Sequence, residues 1–179
     1  TYRLNFARKL ILETGLTITE IAFASGFQSL RRFNDAIKKQ FGRSPSELRK
    51  NKKINQSDSM ITLQLSYRPP LDWNALIQFY KSHAVPYAEK ASVHGDDFSL
   101  ERVFKWIGSI GYWKATHHKN LPVVELKILL SESKYLFDVV QNVRQMLDLD
   151  SDPLLVANAL HTSKTFAHLY KKYPGLRLP

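Results

Sequence analysis

No cysteine occurs in the 179 residues, which removes a disulfide framework, a thiolate metal site and a cysteine nucleophile together. Cytoplasmic residence fits that absence. No apolar run approaches the roughly 20 residues that span a bilayer, and the N-terminus lacks a charged-then-apolar leader, so no membrane partner is expected. Acidic residues are scarce in one region only. Thr1 to Gln56 hold 12 Lys and Arg against 4 Asp and Glu, net +8, whereas Ser57 to Pro179 hold 14 against 12, net +2. The formal charge of +10 therefore sits almost wholly in the first third and asks for an anionic partner there. Also lacking are a serine–histidine–aspartate set, a phosphate-binding glycine loop and a pair of catalytic carboxylates, so the expectation is no catalytic residue, no small-molecule cofactor and no metal. With 44% hydrophobic and 12% aromatic residues, wholesale disorder is excluded. The chain opens at TYRLNFARKL without Met and stops at PGLRLP, and both ends read as cuts in a longer protein.

Apolar residues at helical spacing make a stripe of Leu4, Phe6, Ala7, Leu10 and Ile11 over Arg3 to Glu13, with Gly15 placed for a left-handed cap. Thr17 and Glu20 have capping-box spacing ahead of a short helix carrying Ile18, Ile21 and Ala22, which Gly26 ends. Ser29 then caps a third helix with Leu30, Phe33, Ile37 and Phe41 inward and Gly42 after it. Ser44, Pro45 and Glu47 start a fourth, short helix through Arg49 and Lys50.

Two short helices about a tight glycine turn, the second rich in exposed base, make the helix-turn-helix pattern. On the third helix Arg31, Asn34, Asp35 and Lys38 fall at i, i+3, i+4 and i+7, opposite Phe33 and Ile37. These are side chains of the kind that read base edges, and Arg32 and Lys39 beside them suit phosphates. Periodicity alone fits a merely solvated amphipathic surface equally well.

The string ITEIAFASGFQSLRRFNDAIKKQFGRSPSELRK resembles the second helix-turn-helix of the AraC family of transcription regulators: an I-x-x-I-A turn, G-F, a serine-capped recognition helix and a closing G-x-[ST]-P-x-x-[LY]-R. Within that family the SLRRFN wording resembles that of Ada-type regulators fused to a DNA glycosylase. Tyr2 to Glu13 then corresponds to the helix joining the family's two motifs, and the first motif lies outside the segment. The resemblance implies that Leu30, Arg31, Asn34 and Asp35 face the major groove of double-stranded DNA. Arg31 is the first choice for a guanine contact, worth about 1–3 kcal/mol of discrimination if bidentate. Asp35 stands where Arg or Lys is common, leaving two roles open: orienting Arg31 through an i,i+4 pair, or accepting from cytosine.

RKNKKINQSDS is polar, basic and aperiodic, so residues 51–59 read as a hinge. From Met60 the texture changes. MITLQLSY reads as a strand broken by RPP, and Asp72 caps a helix with Trp73, Leu76, Ile77 and Tyr80 inward. AEKASVHG, FSLERVFKWIGSI, GYWKATHH and PVVELKIL read as further strands with glycine or asparagine turns. A helix from Lys134 to Leu147 buries Leu136, Val139, Val140, Val143 and Leu147. Asp152-Pro153 opens another, and a last one reaches Tyr170. The fold class expected is α+β: an all-helical module at 1–50, an antiparallel sheet with two covering helices at 60–150, and short helices at 151–179.

YRPPLDWNALIQFYKSHAV, MLDLDSDP and YPGLRLP, in that order, resemble the N-terminal domain of AlkA-type DNA-3-methyladenine glycosylases, from Met60 to Pro179. In that family this domain is a structural companion, and the helix-hairpin-helix domain that flips and excises methylated bases begins just after P-G-L-R-L-P. The resemblance implies a regulator module fused to a non-catalytic glycosylase domain, in a monomer serving alkylation-damage response and base-excision repair. The alternative is a glycosylase fragment whose helix-turn-helix is only a non-specific DNA tether.

Three further clusters have plain structural readings. Asp148, Asp150 and Asp152 have the spacing of a cation site, but Asp152 suits an N-cap and the others the end of the preceding helix. His117 and His118 are expected in a hairpin turn, where sequence neighbours rarely share an ion. Trp106, Tyr112 and Trp113 with Lys105 and Lys114 could stack single strands, or serve as core and edge.

Overall fold

The computed structural model describes residues 2–50, 60–95, 97–106, 109–118 and 121–177. The hinge expected at 51–59 and the turn expected at Asn120 lie outside the described residues. By mutual contact the chain divides into two units: Thr1–Leu63, Lys105–Tyr112 and Lys127–Gln141 in the first, and Gln64–Phe104, Trp113–Leu126 and Asn142–Pro179 in the second.

Four helices lead the first unit: α1 (Tyr2–Glu13), α2 (Ile18–Ala24), α3 (Leu30–Phe41) and α4 (Pro45–Arg49). Phe6, Ala7, Leu10 and Ile11 of α1, Ile21, Ala22 and Ala24 of α2, and Phe33 and Ile37 of α3 are buried. Two expectations fail here. Gly15 is not left-handed, because the Thr14 hydroxyl donates to the Leu10 carbonyl at 2.8 Å and closes the end of α1 itself. Leu30 stays 38% exposed and Phe41 is only half-buried, since only the middle of the α3 stripe is roofed by other helices.

Five strands follow: β1 (Ile61–Ser66), β2 (Glu89–His94), β3 (Asp97–Trp106), β4 (Ser109–His117) and β5 (Val123–Leu130). They form an antiparallel sheet in the order β1-β5-β4-β3-β2. The β2–β3 hairpin runs in the register Glu89↔Arg102 to His94↔Asp97. FSLERVFKWIGSI is not one strand: β3 ends at Trp106, and Ser109 and Ile110 already belong to β4. Alternation decides which side of β5 faces inward, with Val124, Leu126 and Ile128 buried.

Helix α5 (Trp73–His83) is capped by Asp72, whose carboxylate accepts from Ala75 N at 2.9 Å, and it buries the expected Trp73, Leu76, Ile77 and Tyr80. Helix α6 (Leu136–Met146) follows a 3₁₀ turn at Ser133–Tyr135, so the expected start at Lys134 shifts by two residues. Its inward residues Leu136, Val139, Val140 and Val143 are buried, as is Leu147. Tyr80 donates to the Met146 carbonyl at 2.6 Å, and burial pushes its pKa up to about 12. Two helices close the chain, α7 (Pro153–Leu160) and α8 (Lys164–Lys172), and Tyr170 donates to the Pro153 carbonyl at 3.2 Å.

The three sequence segments singled out in this part of the chain meet at one place in the second unit. The Arg177 guanidinium, only 8% exposed, donates to the carbonyls of Asp148 (2.7 Å), Arg68 (2.7 Å) and Pro70 (3.1 Å). Gly175 accepts from Asp72 N at 2.8 Å, and a side chain there would put its Cβ 2.8 Å from Leu71 N and from Pro70 C, so only glycine fits. RPP, LDLDSDP and YPGLRLP are thus separate in sequence and joined by the Arg177 guanidinium on three backbone carbonyls, with one backbone bond between Asp72 and Gly175.

Candidate nucleic-acid interface

The interface is built from local chemistry outward. At the start of α2 the Thr17 hydroxyl accepts from Glu20 N at 3.2 Å, while the Glu20 carboxylate accepts from Thr17 N at 2.7 Å. The helix stops where Gly26 turns left-handed at φ 78°, with Phe27 N donating to the Ala22 carbonyl at 2.9 Å. Phe27 then meets Phe33 edge-on, ring centres 5.2 Å apart, which fixes the turn against α3. Ser29 caps α3, accepting from Arg32 N at 3.5 Å, and Gly42 closes it left-handed.

With Phe33 and Ile37 fully buried, Arg31, Arg32, Asn34, Asp35, Lys38 and Lys39 all stand exposed. The expected reading stripe is therefore one accessible face of a helix held from behind. Ser29 is half-buried at its cap, and Leu30 borders the face. Among the described residues no ion pair joins Arg31 to Asp35. Behind α3, α4 repeats the capping box: Ser44 N and its hydroxyl donate to Glu47, both at 2.7 Å. Those bonds hold the Glu47 carboxyl below the usual carboxylate range, with Lys38 and Lys50 helping through space. The Arg49 Nε and Nη2 atoms are buried without a hydrogen-bond partner, and burial lowers the pKa of this guanidinium.

One packing interaction was hidden in the sequence. Phe137 meets Phe6 and Tyr2 edge-on at 5.2 and 6.0 Å, the Arg3 guanidinium lies 5.8 Å from its ring centre, and Gln141 donates to the Tyr2 hydroxyl at 3.0 Å. The first turn of α6 and the back of the helix-turn-helix thus belong to one compact unit. The available signal was a large aromatic just outside the apolar stripe of α6, too slight to assign a partner.

The other clusters resolve into structural roles. Asp152 caps α7 by accepting from Leu154 N at 3.0 Å, Asp150 accepts from Arg144 Nε at 3.0 Å, and Asp148 lies 3.6 Å from Arg177. Among the described residues no group of three His, Cys, Asp or Glu could hold a metal ion. His117 is not in a turn. It is the last residue of β4, 6% exposed, stacked on Trp73 at 4.4 Å, with Nε2 3.0 Å from the Tyr67 hydroxyl. Trp73 Nε1 donates to that same hydroxyl at 3.2 Å. Burial pushes the His117 pKa down to about 4, with His118 adding to the fall. His118 is exposed, 3.1 Å from Asp97. Trp113 is buried and Lys114 pairs with Glu101 at 3.1 Å, which breaks up the aromatic and basic surface considered for single strands; the side chain of Trp106 lies outside the described residues. No helix among the described residues is long and apolar enough to cross a membrane.

Comparison with known proteins gives two family matches along the chain. The helix-turn-helix domain family matches residues 1–51, and the AlkA N-terminal domain family matches residues 62–179. The probable bifunctional transcriptional activator/DNA repair enzyme AlkA of Mycobacterium tuberculosis, in strains CDC 1551 and H37Rv, is 28% identical over 185 residues, which cover 99% of this chain and 36% of the relative. The chain thus spans about a third of the length of those relatives. The HTH-type transcriptional regulator GlxA of Rhizobium meliloti is 44% identical over 48 residues, 27% of this chain and 15% of that protein. The chain belongs to the AlkA N-terminal domain family and carries, ahead of that domain, a helix-turn-helix domain of the AraC type.

Proposed function

We propose that the chain is the DNA-reading and companion portion of a protein that couples a transcriptional response to alkylation damage with excision of alkylated bases. Residues 1–50 act as the reader, 51–59 as the hinge, 60–150 as the companion domain and 151–179 as the lead into a catalytic helix-hairpin-helix domain. Supporting this is the name borne by the M. tuberculosis relatives, which join an activator to a repair enzyme. The observation that carries the reading is the exposed face of α3: Arg31, Asn34, Asp35 and Lys38 in line, over a fully buried Phe33 and Ile37.

In this reading α3 lies in the major groove of duplex DNA. Arg31 donates to the acceptor edge of guanine, Asn34 reads a neighbouring base, and Leu30 packs on a base at the groove floor. Asp35 accepts from cytosine, which accords with its having no ion pair to Arg31. Lys38 extends the reading face, Arg32 and Lys39 neutralise phosphates, and the capped N-terminus at Ser29 sets the register. The chain works as a cytoplasmic monomer, and base excision is carried out outside it.

The test is selection of preferred sequences from a random duplex pool by the wild-type chain and by Arg31→Ala. The wild type should enrich a defined site, and the variant should lose preference at one position and bind that site more weakly by about 1–3 kcal/mol. Binding that is steep in salt but enriches no sequence would convert the helix-turn-helix to a tether and overturn the reading.

A further inference from the structure

The chain's second concentration of base lies far from α3 in sequence. From Pro153 to Pro179 there are four Lys and Arg and no Asp or Glu, after a stretch from Ser57 to Asp152 in which 12 acids face 10 bases. Of those four, Arg177 is buried and bound to backbone carbonyls, whereas Lys164, Lys171 and Lys172 are exposed on α8.

Helical geometry places them on one strip. Lys164, His168, Lys171 and Lys172 stand at i, i+4, i+7 and i+8, within about 100° of helix surface and along roughly 12 Å. The opposite side of α8, with Phe166, Leu169 and Tyr173, lines a cleft of about 480 Å³ together with Val156 and Leu160 of α7. Among the described residues none of the three lysines has a carboxylate partner; Lys172 lies 5.2 Å from the ring centre of Tyr173. The result is a row of unneutralised point charges on the side of α8 opposite Phe166, Leu169 and Tyr173, which line the cleft and stay about half exposed.

We propose that this strip of α8 is a second binding surface for the phosphate backbone of duplex DNA. Ammonium groups on flexible stems suit phosphates and carry no base-edge code, so the strip adds affinity and salt dependence without sequence preference. A strip of that length faces two to three phosphates of one strand. An anionic lipid surface would also attract lysines, but interfacial binding requires the apolar face of a helix to insert, and on α8 Phe166, Leu169 and Tyr173 line the cleft with α7 instead. The proposal rests on the reading of the chain as a duplex binder.

The experiment compares the wild type, the triple variant Lys164→Gln/Lys171→Gln/Lys172→Gln and the pair Arg32→Gln/Lys39→Gln. Each is titrated with a random-sequence duplex about two helical turns long at several salt concentrations, after matching thermal unfolding has shown them folded. The triple variant should lose two to three units of the slope of log affinity against log salt, roughly 0.9 for each phosphate no longer neutralised, and at least tenfold in affinity near physiological salt. Its site selection from a random pool should stay as in the wild type. An unchanged slope in the triple variant, with a reduced one in the α3 pair, overturns the role of α8 and leaves the reading of α3 standing. If the wild type binds no duplex, both fall. Lysine-dependent binding to vesicles containing phosphatidylserine, with the duplex slope unchanged, assigns the strip to membranes and overturns the proposal.

Discussion

At Arg177 one guanidinium satisfies three backbone carbonyls that come from two different parts of the chain. Replacing it with Leu removes all three charge-assisted bonds, and stability should fall by about 3 kcal/mol, read as a lower urea midpoint with an unchanged slope. His117 makes the opposite kind of contribution. Its Nε2 faces a Tyr67 hydroxyl that already accepts from Trp73, while its Nδ1 is buried without a partner, so there is no site in the folded chain that welcomes a second ring proton. The folded pKa near 4 lies below the ordinary value of 6.5. Above pH about 6.5 both states are neutral and the group is silent; as pH falls toward 4 only the unfolded chain takes up the proton, and stability drops. The loss should approach about 3 kcal/mol at pH 4, and His117→Phe should flatten that part of the profile of stability against pH. Neither role was legible in the sequence. Arg177 looked like one base among many, and His117 looked like a turn residue because nothing local to it announces Tyr67 or Trp73.

At the scale of elements, the helix starts were the most legible feature. Thr17/Glu20 and Ser44/Glu47 form the boxes that their spacing foretells, and Asp72 and Asp152 cap as expected, because a cap is an interaction across two or three residues. Helix ends were less so: Thr14 does at α1 what Gly15 was expected to do. The caps differ in strength. The bond at Ser29 is 3.5 Å long and has no reciprocal acid, while Ser44 has both halves of its box. Ser44→Ala should therefore cost about 1 kcal/mol and Ser29→Ala clearly less, measured by thermal unfolding side by side. The outward face of α3 was legible down to single residues, because one buried stripe fixes what faces away. Phe137 against Phe6 and Tyr2 was not, since it joins segments 131 residues apart or more and depends on tertiary packing alone.

At the scale of the whole molecule, charge is distributed by task. The first 56 residues carry net +8, a near-neutral sheet domain follows, and base returns without acid after Asp152. Such a pattern supplies local attraction to a polyanion while leaving the companion domain free of self-repulsion. The direct measurement is a map of amide chemical-shift changes on the ¹⁵N-labelled chain as duplex DNA is added. The account predicts the largest changes from Ser29 to Lys39, a second set along α8, and little on the interior strands. Duplex binding that leaves the α3 amides unmoved would contradict it.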